Sequence, residues 1–118
     1  MDDNAERYRT LIEGGAELHV PALCDVEVVS AIRKIVREDL VSADRIGELV
    51  EDYLDLPLNR HGHTLLVPRI LELRDSFTAY DASYVVLAEF LGARLLTADD
   101  RLARAVRNAH EITVQLAG

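Results

Sequence analysis

Thr78-Ala79-Tyr80-Asp81-Ala82-Ser83-Tyr84-Val85-Val86-Leu87-Ala88-Glu89-Phe90-Leu91-Gly92 is the stretch that decides the fold. Thr78 and Asp81 form a T-x-x-D capping pattern ahead of an apolar run, and Gly92 supplies a stop, so the spacing predicts a helix over 78–91. Arg94 to Thr97 follows as a buried-strand candidate. Asp99 to Asn108 predicts another helix, and Ile112 to Leu116 a last strand. Helix and strand in alternation argue for parallel strands joined by helical crossovers.

The N-terminal half alternates in the same way. Residues 3–13 predict a helix, with Asp3 as cap, Glu6 three positions later and Gly14-Gly15 as the stop. Glu17 to Val20 is a short strand candidate. Pro21 suits the first turn of a helix, where its missing N–H costs nothing, and that helix is expected to run to Arg37. Val26, Val29, Ile32 and Val36 give it an apolar stripe at helical spacing. Ser42 caps a further helix to Leu54, Asp55 to Arg60 reads as a short strand, and residues 64–74 read as a helix with Pro68 near its start.

The chain has 118 residues, the size of one domain over 1–118, and 49% of them are hydrophobic, enough for a core without a disulfide or structural metal. Its single cysteine, Cys24, excludes an internal disulfide and a Cys-rich zinc site and reads as a small core residue. The longest apolar run, Ala82 to Leu91, is broken by Ser83 and Glu89 and is too short to span a membrane. The N-terminus lacks the basic start and apolar stretch of a secretory signal, so the expected location is the cytoplasm. Thirteen basic and 21 acidic residues give a net charge of −8. That excludes a protein that coats nucleic acid by bulk charge, but leaves open a nuclease whose carboxylates hold a cation.

Three acids stand out. Glu27 lies among Leu23, Ala31 and Ser30 on its helix face, unusual company for a glutamate; the plainer reading is a partly exposed residue at the stripe edge. Asp81 sits at the third position of its helix, where an acid stabilises the N-terminus, and one oxygen can cap while the other meets a cation. Asp99 and Asp100 follow a strand end, where α/β sheets place their sites. Asp100 is read as pairing with Thr97 in a second cap, leaving Asp99 for a ligand role; the alternative is that both acids only start the helix. Oxygen donors so clustered would suit Mg²⁺ or Mn²⁺.

At these residues the sequence resembles the PIN-domain ribonucleases, specifically the VapC toxins of bacterial toxin–antitoxin pairs. Val20-Pro21-Ala22-Leu23-Cys24-Asp25-Val26-Glu27-Val28-Val29-Ser30-Ala31 resembles the family's strand-end proline and the helix of its second acid. Thr78 to Ala88 resembles the third-acid helix, and Leu95-Leu96-Thr97-Ala98-Asp99-Asp100-Arg101-Leu102 the strand and turn of the fourth. The resemblance implies an α/β three-layer sandwich with a mostly parallel sheet. It implies Glu27, Asp81 and Asp99 as ligands of Mg²⁺ or Mn²⁺, hydrolysis of RNA phosphodiester bonds, a homodimer and a cognate antitoxin.

One departure matters. The family opens on a strand carrying its first acid, mid-sheet beside the strands ending at Val20 and Thr97. No such segment precedes residues 3–13, so both neighbours are expected to lack a partner along one edge, and one ligand is expected to be missing. A misassigned start and a genuine truncation both account for this. The rival functions are an inactive PIN-like module that binds an antitoxin or partner, and an unrelated α/β module whose acids only cap helices. His61 and His63, with His19 and His110, read as ordinary histidines rather than ligands. Arg101, Arg104 and Arg107 read as a solvated helix face before a phosphate-binding one.

Overall fold

The structure of the chain is a computed structural model that describes residues 10, 13–97, 99–109 and 114–116. In chain order it has β1 (Leu18–Pro21), α1 (Cys24–Arg37), a 3-10 turn over Ala43–Arg45 leading into α2 (Ile46–Leu54), and β2 (Leu58–His61). A second 3-10 turn, Thr64–Leu66, leads into α3 (Val67–Glu72), followed by α4 (Ala79–Leu91), β3 (Leu95–Thr97), α5 (Asp100–Ala109) and β4 (Val114–Leu116).

Both strand pairs are parallel. In the first, Leu18 lies opposite Leu58 and Pro21 opposite His61; in the second, Leu95 lies opposite Val114 and Thr97 opposite Leu116. Parallel neighbours need a crossover, and helices supply it in each pair. The expected α/β alternation is therefore the observed one. Among the described residues each sheet has two strands, so β1 and β3 each pair along one edge only.

Element boundaries differ in instructive ways. Most of the helix expected at 3–13 lies outside the described residues, as does the start of the last strand; Thr10 and Glu13 are helical, and Gly15 takes φ +83°. Pro21 ends β1 instead of opening a helix. Ladder pairing continues past it, with the Ala22 N–H donating to His61 O at 2.8 Å, so α1 starts only at Cys24. Proline is tolerated there because it lies at the end of an edge strand, where its missing donor breaks no ladder bond. Ser42 donates its hydroxyl to Asp44 instead of capping a backbone N–H, and the chain enters α2 through the 3-10 turn. The helix expected at 64–74 divides into the second 3-10 turn and the short α3.

The contacts divide the chain into two compact units, one of Glu17–His61 and one of Met1–Ala16 with Gly62–Gly118. The second holds the hydrophobic core. Ala82, Val85, Val86, Leu87 and Ala88 of α4 are buried there with Leu66, Phe77, Leu95 and Val106. A helix this enclosed needs its polar groups satisfied, and buried Ser83 donates to Ala79 O at 2.8 Å. Arg69 of α3 bonds both oxygens of Glu89 on α4, at 3.2 and 3.1 Å, and also Glu72 at 3.0 Å. First Glu89 and then Glu72 raise its pKa further.

Glu17–His61 is held differently. Neither α1 nor α2 contains a fully buried residue. The apolar stripe is only partly covered: Val26 and Val29 are exposed and Ile32 and Val36 half-buried, and Val29, Ile32 and Val36 line an open apolar groove of ≈ 370 Å³ with Ile46 and Val50 of α2. Two helices above a two-stranded sheet do not close a core over that face. A polar junction does tie the unit together. Asp25 of α1 accepts from Tyr53 of α2 at 2.7 Å and from Arg60 Nε of β2 at 2.8 Å, with the guanidinium 5.6 Å from the Tyr53 ring centroid.

That junction predicts a pH dependence. The Arg60 bond first, then the Tyr53 bond, hold the Asp25 carboxyl below its ordinary value of 3.8. An acid lowered by folding stabilises the fold above its unfolded pKa, and the contribution disappears as pH falls through the lower folded value. Between about pH 4 and pH 2, wild-type stability in urea is expected to fall more steeply than that of Arg60→Met. Equal slopes would remove the ion pair as the cause. The pair is partly exposed, so the effect is modest.

Candidate active site

The Gly62–Gly118 part of the second unit carries two of the three acids singled out by sequence, each at a helix N-terminus. Thr78 is the N-cap of α4, and its Oγ1 accepts from the Asp81 N–H at 3.1 Å. The hydroxyl thus does the capping. The half-buried Asp81 carboxylate makes no hydrogen bond or ion pair with any described residue. Its charge lies in the first turn, where the positive end of the helix dipole favours it. Gly92 closes the helix at φ +61°, as the sequence predicts.

Asp99 reverses the expected division of labour. Thr97 Oγ1 accepts from the N–H of Asp99, not of Asp100, at 3.0 Å. Asp99 is itself the cap of α5: its Oδ1 accepts from the N–H groups of Arg101 at 2.9 Å and Leu102 at 3.2 Å. Asp100 is the first residue of the helix. One Asp99 oxygen is committed to the cap, and Oδ2 bonds no described residue. The split between a capping and a free oxygen that the sequence suggested for Asp81 is realised at Asp99.

Glu27 belongs to the other unit. It lies in the first turn of α1 and is half-buried. Arg101, Arg104 and Arg107 are exposed along α5. Cys24 is a half-buried free thiol 3.6 Å from the Tyr53 hydroxyl.

The PIN domain family matches residues 1–108. The chain belongs to that family. Curated relatives carry the VapC name. Ribonuclease VapC9 of Mycobacterium tuberculosis is 39% identical over 111 residues, covering 94% of this chain and 87% of that protein. Ribonuclease VapC3 of the same species is 39% identical over 95 residues, 80% of this chain and 69% of that one. Ribonuclease VapC3 of Pyrobaculum aerophilum is 30% identical over 106 residues, 86% and 81% of the two chains.

In this PIN chain the donor chemistry suits a hard cation. Mg²⁺ and Mn²⁺ take oxygen ligands and keep several waters, so a few carboxylate oxygens suffice. Asp81 offers a carboxylate, and Asp99 one oxygen, that bonds no described residue. Among the described residues no three His, Cys, Asp or Glu side chains are gathered as a metal-binding group.

Sequence reading missed the Asp25–Tyr53–Arg60 junction, whose members are 28 and 35 residues apart and carry no local motif. It also set aside His19 and His61, which the fold brings together with Nδ1 and Nε2 2.9 Å apart. His63 belongs to the other unit, and His110 lies outside the described residues.

Proposed function

We propose that this chain, acting as one PIN domain over residues 1–118, is a metal-dependent endoribonuclease of the VapC toxin type that hydrolyses RNA phosphodiester bonds. The observation that carries this is the Asp81 carboxylate. Among the described residues it has no partner, and it lies in the first turn of a buried helix, in a PIN chain whose relatives are named ribonucleases. Asp81 and Asp99 are the ligands the local geometry favours, and Glu27 is a further ligand on the resemblance alone.

Bound Mg²⁺ or Mn²⁺ supplies a Lewis acid for the scissile phosphate and activates water for attack. The residues of the chain hold that charge in register. Thr78 fixes the turn from which Asp81 projects, and the Asp99 cap fixes the direction of its second oxygen. Carboxylates so anchored lose little freedom on binding, which favours a defined ligand geometry. The substrate is RNA, the regulator is a cognate antitoxin, the working form is a homodimer, and the location is the cytoplasm. No helix among the described residues is long and apolar enough to cross a membrane.

The test is thermal melting of the purified chain with and without Mn²⁺, alongside RNA cleavage with and without a chelator. Mn²⁺ binds only the folded state, so it is expected to raise Tm, by an amount equivalent to about 2.7 kcal/mol at a hundred times Kd. Cleavage is expected to stop when the ion is removed. A well-folded chain with neither response would be a PIN module that binds partners without cutting RNA.

A further inference from the structure

We infer that His19 and His61 form a second, chemically different metal site, selective for a divalent transition cation of the Zn²⁺ class, on one face of the β1–β2 pair. The parallel register puts His19 opposite Asn59 and His61 opposite Pro21, so the two imidazoles project from one face of the two-stranded sheet. Their facing nitrogens, His19 Nδ1 and His61 Nε2, are 2.9 Å apart, and the ring centroids are 5.1 Å apart. Two imidazoles on one tetrahedral ion, at metal–nitrogen distances near 2.0–2.1 Å, have nitrogens about 3.3 Å and centroids about 5 Å apart. The ring centroids already stand at the separation a shared ion requires, and the facing nitrogens are a few tenths of an ångström closer than it requires. Each has only to turn for its lone pair to meet the other's at one point.

The proton arrangement also suits an ion. Glu17 Oε2 lies 3.5 Å from His19 Nε2. In the tautomer protonated at His19 Nε2, on the Glu17 side, the Nδ1 lone pair is directed toward His61, the carboxylate–histidine–metal order found around bound cations. In that tautomer, and without an ion, His61 donates its Nε2–H to His19 Nδ1. With one, that single shared proton moves to His61 Nδ1 and the metal takes its place, while water completes the coordination. Imidazole donors select Zn²⁺, Ni²⁺ or Cu²⁺ over Mg²⁺, so this site does not compete with carboxylate oxygens for the same ion. The Ala22 N–H bonds His61 O at 2.8 Å, and α1 begins at Cys24, so an ion here pins the junction from which α1 departs.

Zn²⁺ titration by calorimetry of the untagged full chain, in excess Mg²⁺, tests the assignment. The expected result is one Zn²⁺ per chain, at least tenfold weaker binding in His61→Ala and in His19→Gln, and unchanged binding in Asp81→Asn. Either histidine substitution removes a bond between β1 and β2 and can unfold the chain. The wild type therefore gives a second reading by nitrogen-detected imidazole NMR. Zn²⁺, and not Mg²⁺, is expected to shift His19 Nδ1 and His61 Nε2. Absence of Zn²⁺ binding, unchanged affinity in folded variants, or shifts confined to other histidines would each overturn the site.

Discussion

Asp81→Asn is expected to lower metal-dependent RNA cleavage by more than about 100-fold, because residues one step removed from a metal already cost 10–100-fold and this carboxylate is assigned to the ion itself. The fold is expected to survive. The cap on α4 is the Thr78 hydroxyl, and the carboxylate has no described hydrogen bond to lose. What disappears is a favourable interaction with the helix dipole, about 0.3–1 kcal/mol. Activity assayed beside a urea melt separates the two effects. Full cleavage in a folded Asp81→Asn chain would remove Asp81 from the site. Asp99→Asn belongs in the same experiment, since asparagine caps as well as aspartate and isolates the ligand role from the structural one.

Phe77→Ala is expected to cost about 3–5 kcal/mol, the usual range for deleting a buried phenylalanine. Phe77 is 8% exposed and belongs to the same core cluster as Ala82. The two occupy the positions immediately before the cap and at the fourth residue of α4, the pair that staples a helix entry. A loss of this size is a large part of a domain's stability of about 5–15 kcal/mol, and Tm is expected to fall by more than roughly 10 °C. Leu65→Ala is the contrast. Leu65 is 81% exposed, and its loss is expected to fall within about 0.5 kcal/mol of zero. Similar losses for both would mean that Phe77 does not sit in a packed core.

Where signals were local, the sequence was legible. Helix α4 was readable to within a residue because its cap, its apolar run and its glycine stop lie within 15 consecutive positions. The start of α1 was not, because the competing claim on Pro21 comes from β2, 40 positions further on. Helical spacing in α1 was real, yet the apolar face it marked is only partly covered. Periodicity reports which side of a helix is apolar and says nothing of what meets it. The acids divide in the same way. Asp81 and Asp99 announced themselves through capping motifs. The cap at Thr97 was assigned to the wrong neighbour because T-x-x-D and T-x-D look alike in a sequence and differ only in which amide reaches the hydroxyl. Asp25, Tyr53 and Arg60 gave no sign, since their association exists only after α1, α2 and β2 have met.

The register of β1 has a consequence for synthesis. Leu18 pairs with Leu58, so β1 leaves the ribosome 40 residues before the strand that completes it. At about 5–20 residues per second, that is a wait of roughly 2–8 seconds with a bare edge of four residues, far longer than a helix needs to form. Non-local parallel pairing of this kind is slow even in a finished chain. Helices α1 and α2, made in the interval, need no such delay. The nascent polypeptide therefore passes through a stage in which α1 and α2 are made and β1 is still available to whatever β-edge it encounters.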